Sequence, residues 1–298
     1  MTYRLLAVHA HPDDESSKGA ATYASYVAQG AEVMVVSCTG GEAGDVLNQG
    51  LESKLHAARD LPGLRRVEMA EAQRILGVQH RWLGYVDSGM ASEDGTLPHH
   101  VFAGIPVEIS VRPLIRLIRE FRPHVLVTYD ENGGYPHPDH IRTHEVSMRA
   151  WEEAGDASKH PELGEPWEIS KLYYDRTMNA ERAQTIFDKL AEADVDQHLR
   201  EKMEEVLGWM KQKPATVTTR VEVGDYFPTR DDALRAHASQ VAPDHEFFFA
   251  VPRDLERETY PYEDYELVAS RVEAPTPEAD LFAGIAPEGA AADGEAAR

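Results

Sequence analysis

Three short runs, RLLAVHA (4–10), EVMVVSCT (32–39) and HVLVTYD (124–130), are apolar along most of their length instead of alternating with polar residues. A strand of that kind has to be covered on both faces, the condition met by a parallel sheet between two helical layers. The stretches between them carry apolar residues at helical spacing: 16–29, 64–76 with Gly77 as its stop, and 107–121 after Pro106. A shorter run, RWLGYVD, precedes a loop at 88–104. This alternation predicts an α/β chain with a Rossmann-like, mostly parallel sheet and flanking helices.

The second half reads as a helix near 140–154, a strand KLYYDRT and two charged helices within about 180–211. A strand TTRVEV, a helix from Thr229 through Gln240 and a strand EFFFAV follow. Residues 275–298 are mainly Ala, Gly, Glu and Pro, so they are expected to be a disordered tail behind a single domain, 1–274, whose helical insertion is 180–211. At 298 residues and 42% hydrophobic content the chain can bury a sizeable core.

A formal charge of −22 argues against nucleic acid or an anionic membrane surface as a partner, since the average surface field repels both. The single cysteine, Cys38, excludes an intrachain disulfide and fits a reducing cytoplasm. The opening MTYRLLAVHAH has its apolar run cut short by histidine and charge, and no run of about eighteen apolar residues occurs, so neither signal peptide nor membrane span is expected. The oligomeric state is not legible.

Chemistry concentrates in two places. HAHPDDESSKG (9–19) and YDENGGYPHPDH (129–140) each follow a buried strand directly. Alone, HPDD reads as a helix cap and HPDH as a turn. Together they mean more, because loops at the C-terminal ends of parallel strands open into one crevice. His11 and Asp14, three apart, and His140, near the start of the next helix, make two imidazoles and a carboxylate with room for water and substrate. A hydrolytic zinc site uses that set, and iron(II) fits it equally. Asp13 is then free as general base toward water and acid toward the leaving amine. His137, as cation or donor, can stabilise an oxyanion, held by Asp139 as its outer carboxylate, and Tyr135 offers a further hydroxyl from a glycine-flanked loop. An iron oxygenase with a facial triad predicts an all-β barrel instead, and a sugar-binding protein predicts a pocket without turnover.

These motifs resemble the LmbE-like superfamily of N-acetylglucosaminylphosphatidylinositol deacetylases, in AHPDDE (10–15), TGGE (39–42), VDSGM (86–90), NGGYPHPDH (132–140) and RAHASQ (235–240). Within it the chain is most similar to the branch of amidases acting on mycothiol S-conjugates, through HAHPDDESSKGAAT, the insertion at 180–211, DDALRAHASQ, FAVP and YEDYELVASRV. The resemblance implies the LmbE-like deacetylase fold, zinc on His11, Asp14 and His140, and Asp13 as acid/base with His137 and Tyr135 at the oxyanion. It implies sugar recognition by Arg65, Asp87 and Asp45, and Lys18 beside the acyl arm. The implied partner is a small-molecule thiol conjugate of glucosaminyl-inositol, and the alternatives are the N-acetylglucosaminyl-inositol deacetylase of mycothiol biosynthesis and a biosynthetic amidase acting on one dedicated thiol adduct. From position alone, Asp87 also reads as a turn residue, Arg65 as an exposed helix residue, and His237 as a packed structural histidine. Glu15 and Glu42 read as loop-orienting groups.

Overall fold

A computed structural model describes residues 2–51, 54–92, 95–192, 197–212 and 215–286. Seven strands form one sheet: β1 (Arg4–His9), β2 (Glu32–Thr39), β3 (Gln79–Tyr85), β4 (Val125–Thr128), β5 (Lys171–Asp175), β6 (Thr219–Glu222) and β7 (Tyr262–Ser270). Their order is β3-β2-β1-β4-β5-β7-β6. The first five are parallel, and β7 runs antiparallel to both β5 and β6. The expected parallel α/β sheet is present, and no all-β barrel is formed.

Strand pleat sorts the apolar runs into two cores. Leu5, Ala7, Val33, Val35, Val125 and Val127 face α1 (Ala20–Ala28), α2 (Leu61–Leu76) and a later helix, Phe227–Ala236. Leu6, Val8, Met34, Val36, Cys38 and Leu126 face α3 (Arg112–Phe121) and α4 (Pro138–Glu153). Local signals set the helix ends: Asp60 accepts from Gly63 N at 3.2 Å to cap α2, and Gly77, with φ 72°, stops it. Cys38 is fully buried and its thiol is pushed up to about 12 by burial, as befits a packed side chain.

The insertion consists of α5 (Ala180–Glu192) and α6 (Gln197–Lys211), followed in the chain by α7 (Phe227–Ala236) and α8 (Arg253–Thr259). Two readings of the second half are corrected. EFFFAV is no strand: Glu246–Phe249 is one helical turn, started by His245, whose ring accepts from Phe247 N at 3.2 Å. A short apolar run without alternation does not distinguish the two states. The second is an omission: YEDYELVAS forms β7, with Glu263 buried and accepting from the Ala21 and Thr22 amides and the Thr22 hydroxyl.

The tail reading is corrected over 275–286 and lies outside the described residues over 287–298. Leu281, Phe282 and Ile285 join the first core, and Glu278 pairs with buried Lys171 and accepts from Tyr173 Oη at 2.6 Å. Three apolar anchors suffice to dock a segment whose average composition looks unstructured. Tyr26 Oη donates to Asp280 Oδ1 at 2.7 Å and accepts from Leu281 N at 2.8 Å. Tyr26→Phe removes both bonds, leaving Asp280 Oδ1 with Phe282 N at 3.0 Å, and is expected to cost about 1–2 kcal/mol. Urea unfolding checks it, and a midpoint equal to wild type would mean the docking contributes nothing. No helix among the described residues is long and apolar enough to cross a membrane.

Candidate active site

β1 pairs with β2 on one side and β4 on the other, so the loops leaving β1 and β4 flank the point where strand order reverses. Ligands of open parallel sheets sit there. His11 and Asp14 come from the first loop and the turn after it, His140 from the first turn of α4. Asp14 Oδ2 lies 3.6 Å from His11 Nδ1 and 3.3 Å from His140 Nε2. These separations match the roughly 3.3 Å donor spacing of a tetrahedron with bonds near 2 Å.

Protonation follows from the partners. His140 Nδ1 meets Gly133 O at 2.9 Å, and a carbonyl only accepts, so Nδ1 carries a proton and the neutral form of the ring presents its lone pair on Nε2. That Nε2 is buried without a hydrogen-bond partner. Gly133 is required for this contact: at φ +69° its carbonyl turns in, and a Cβ there would sit 2.4 Å from His140 Cβ. His11 Nε2 faces Asp139 Oδ2 at 3.3 Å and Asp87 Oδ1 at 3.6 Å. Burial works against its charge, yet Asp139, Asp14 and Asp87 hold the ring well above the usual histidine range. Burial likewise opposes ionisation of Asp14, but His140 and Lys18 beside it keep it well below the usual carboxylate range. Three carboxylates converging on buried imidazoles, one with an orphaned lone pair, are a donor set that fits a divalent cation.

Asp13 adopts φ 110°, ψ −27°, a strained conformation for a residue with a Cβ. Its N–H donates to Glu15 Oε2 at 2.9 Å, and Glu15 Oε1 is in turn 2.7 Å from His237 Nε2. Arg65 donates to Pro12 O at 2.5 Å, Gly41 O at 3.0 Å and Asp13 Oδ2 at 3.1 Å. The Asp13 side chain keeps 26% exposure while its neighbours are buried. Burial raises its pKa against the pull of Arg65, a direction that suits proton exchange.

His137 caps α4, its Nδ1 accepting from Asp139 N at 3.2 Å, which leaves Nε2–H as the donor. Burial, with His11 and His140 nearby, lowers it to about 4, so it is a neutral donor and not the cation that the motif also allowed. The Tyr135 ring lies 4.4 Å from that of His140 and 6.1 Å from that of His137, on a loop bounded by Gly133 and Gly134.

Several expected roles are corrected. The Asp139 carboxylate does not hold the His137 ring; it holds His11 and accepts from Ser88 N at 2.9 Å and from the Ser88 hydroxyl. Arg65 is not at a pocket rim: it is 4% exposed and ties the loops beneath Asp13. Asp87 is buried, accepting from Ala43 N at 3.1 Å and Gly89 N at 2.8 Å, with His11 adjacent. Lys18 Nζ meets Asp14 Oδ1 at 2.6 Å. Asp45 is exposed in the loop after β2, held by its carbonyl to Gln240 Nε2 at 3.1 Å. Glu15 and Glu42 do orient loops, Glu42 Oε2 accepting from Gly40 N at 3.2 Å and Asp87 N at 3.1 Å.

Three contributors lie inside the motifs without a role expected of them. Tyr129 stacks on His140 at 4.5 Å and 9°, its hydroxyl accepts from Ala10 N at 3.1 Å, and His9 Nδ1 lies 3.2 Å from the same hydroxyl. Ser88, inside VDSGM, is the third. Beside this group, Asp175 at the end of β5 is pushed up to about 7 by burial and by Glu263. Its folded pKa lies above the ordinary aspartate value, so proton binding favours the folded chain at low pH, and the advantage is lost as pH rises from that ordinary value toward 7. Asp175→Asn keeps an acceptor for Thr177 N, which is 3.1 Å from Oδ1, and its gain in Tm over wild type is expected to be larger at pH 8 than at pH 5. Equal gains at both pH values would remove Asp175 from the titration.

Comparison with known proteins fits this geometry. The profile of the family "PIG-L: GlcNAc-PI de-N-acetylase" matches residues 6–151. The chain is 47% identical to mycothiol S-conjugate amidase of Streptomyces coelicolor, over 95% of this chain and 97% of that one. It is 40% identical to 1D-myo-inositol 2-acetamido-2-deoxy-alpha-D-glucopyranoside deacetylase of Streptomyces avermitilis, over 95% and 98%. The solved structure of N,N'-diacetylchitobiose deacetylase from Pyrococcus horikoshii shares the fold at TM-score 0.59 and 19% identity, covering 89% of this chain and 83% of that one.

Proposed function

The chain belongs to the PIG-L family of GlcNAc-PI de-N-acetylases, and from that premise we propose that it is a metal-dependent amidohydrolase cleaving the amide between a glucosamine amine and an acyl group. Its substrate is a mycothiol S-conjugate, split into glucosaminyl-inositol and an S-substituted N-acetylcysteine. The observation that carries the reading is the meeting of the donor atoms of His11, Asp14 and His140 within 4.8 Å of one another, with Asp13 adjoining Asp14 in the chain and the His137 ring 4.7 Å from that of His11. The higher identity to the amidase than to the deacetylase supports the choice of acyl group.

His11, Asp14 and His140 would hold the ion, zinc in this reading. Once bound it supplies Lewis acidity toward the amide carbonyl and lowers the pKa of water. Asp14 offers Oδ2 to the site while Lys18 neutralises Oδ1. Asp139, fixed by Ser88, orients His11. Asp13, steadied by Arg65, takes the proton from the attacking water and passes it to the departing amine nitrogen. His137 Nε2–H donates to the carbonyl oxygen as negative charge builds there, with the Tyr135 hydroxyl as second donor from the open side. Burial, Asp14 and Asp13 raise the Tyr135 pKa and keep that hydroxyl protonated. A reducing cytoplasm suits the one buried thiol, Cys38.

The test is kcat/KM for a mycothiol S-conjugate against N-acetylglucosaminyl-inositol, on protein of measured metal content. A preference of about tenfold or more for the conjugate, about 1.4 kcal/mol, is expected. Preference for the acetylated sugar would assign the chain to the deacetylases of mycothiol biosynthesis.

A further inference from the structure

A cavity of about 460 Å³ lies beside the site, between the insertion helices α5 and α6 and the chain from His245 to Glu256. We propose that it is the subsite for the S-substituent of the conjugate, an uncharged apolar or aromatic group. The inference rests on the amidase reading and names the part of the substrate that the insertion recognises.

Position supports it first. Ser17 and Thr177 line the cavity, and Ser17 adjoins the site directly: its hydroxyl donates to Asp14 O at 3.1 Å and accepts from Lys18 Nζ at 3.3 Å. Lys18 Nζ in turn meets Asp14 Oδ1 at 2.6 Å. Two hydrogen bonds therefore separate a cavity-lining hydroxyl from a carboxylate of the catalytic group. Ser17 is thus a wall residue shared between the cavity and the surroundings of Asp14.

Chemistry supports it next. The walls include Met178, Met203, Met210, Trp209, Phe247 and Phe248. The charged lining groups are paired: Arg230 donates to Glu256 Oε1 at 3.1 Å and Oε2 at 3.0 Å, the terminal nitrogens of Arg182 and Arg253 also bind Glu256 while Arg182 Nε is buried without a hydrogen-bond partner among the described residues, Lys202 pairs with Glu205, and Glu246 pairs with His198. A second sugar needs free convergent donors and acceptors, which paired arginines do not offer, whereas thioether and aromatic walls favour an apolar guest. The volume is that of a small-molecule site, and unbranched methionines reshape around guests of different outline. The subsite therefore accepts a range of bulky substituents instead of one dedicated adduct.

Two variants test it, measured on metal-loaded enzyme. Phe247 is 41% exposed, so Phe247→Ala removes wall area with little effect on folding, and Val206→Trp fills the cavity from α6. With an S-naphthylmethyl conjugate, kcat/KM is expected to fall about tenfold or more in Val206→Trp and by less in Phe247→Ala, mainly through KM. With the S-methyl conjugate both variants should match wild type. Equal losses on both substrates, or no loss on either, would overturn the proposal. If wild type cleaves neither conjugate, the amidase reading fails, but calorimetric binding of S-naphthylmethyl-N-acetylcysteine still decides the subsite. Binding weakened by Val206→Trp supports it, and binding absent or unchanged by that variant refutes it.

Discussion

Asp13→Asn is expected to lower kcat by about 10²- to 10⁴-fold while metal content stays at the wild-type level. The substitution is isosteric, and asparagine tolerates positive φ better than most residues, so the strained backbone at φ 110° survives. The N–H bond to Glu15 Oε2 and an acceptor for Arg65 are also kept. What disappears is a group able to take a proton from water and give it to the amine. Metal analysis and steady-state kinetics on the same preparation decide the matter. Turnover within about threefold of wild type would exclude general acid/base work by Asp13, since such a role contributes at least a hundredfold.

His140→Ala should behave differently, losing metal and turnover together. The residue is fully buried, its Nε2 has no hydrogen-bond partner among the described residues, and its Nδ1 is fixed by Gly133 O. Truncation leaves Asp14 facing His11 alone within the triad, and two donors hold a divalent ion far less tightly than three. Activity is expected to fall to background, with metal content falling in parallel. A His140→Ala protein that keeps one equivalent of metal after dialysis would shift the site to the other convergent group, His11, His137 and Asp139. The contrast between the two variants separates a residue that moves a proton from one that holds the ion.

Part of this site could be read before any coordinates, because its donors sit at short spacing in two motifs and each motif follows an unmistakable strand. His11, Asp14 and His140 come together as the motifs predict, since loops after parallel strands share one edge of the sheet. The residues drawn from more distant loops fared differently. Arg65 and Asp87 are polar groups near the right place, and nothing in their local sequence says whether they face solvent or the backs of other loops. The structure turns both inward, onto Asp13 and His11. Lys18 follows the same logic: its position at i+4 from Asp14 is compatible with an ion pair, and the structure shows that pair made, at 2.6 Å.

What the sequence alone determined is the layered α/β architecture, through apolar runs that need cover on both faces, and the metal-binding character, through ligand types at fixed short spacing. What only the tertiary structure decided is the duty of each outer carboxylate and cation, and the presence of a cavity under the insertion. The physical reason is range. Strand and helix patterns, and a His-x-x-Asp turn, are set by neighbours within a few residues. By contrast Asp139 meets Ser88 across 51 positions, His237 meets Glu15 across 222, and Glu278 meets Lys171 across 107, contacts fixed only when the whole sheet has closed.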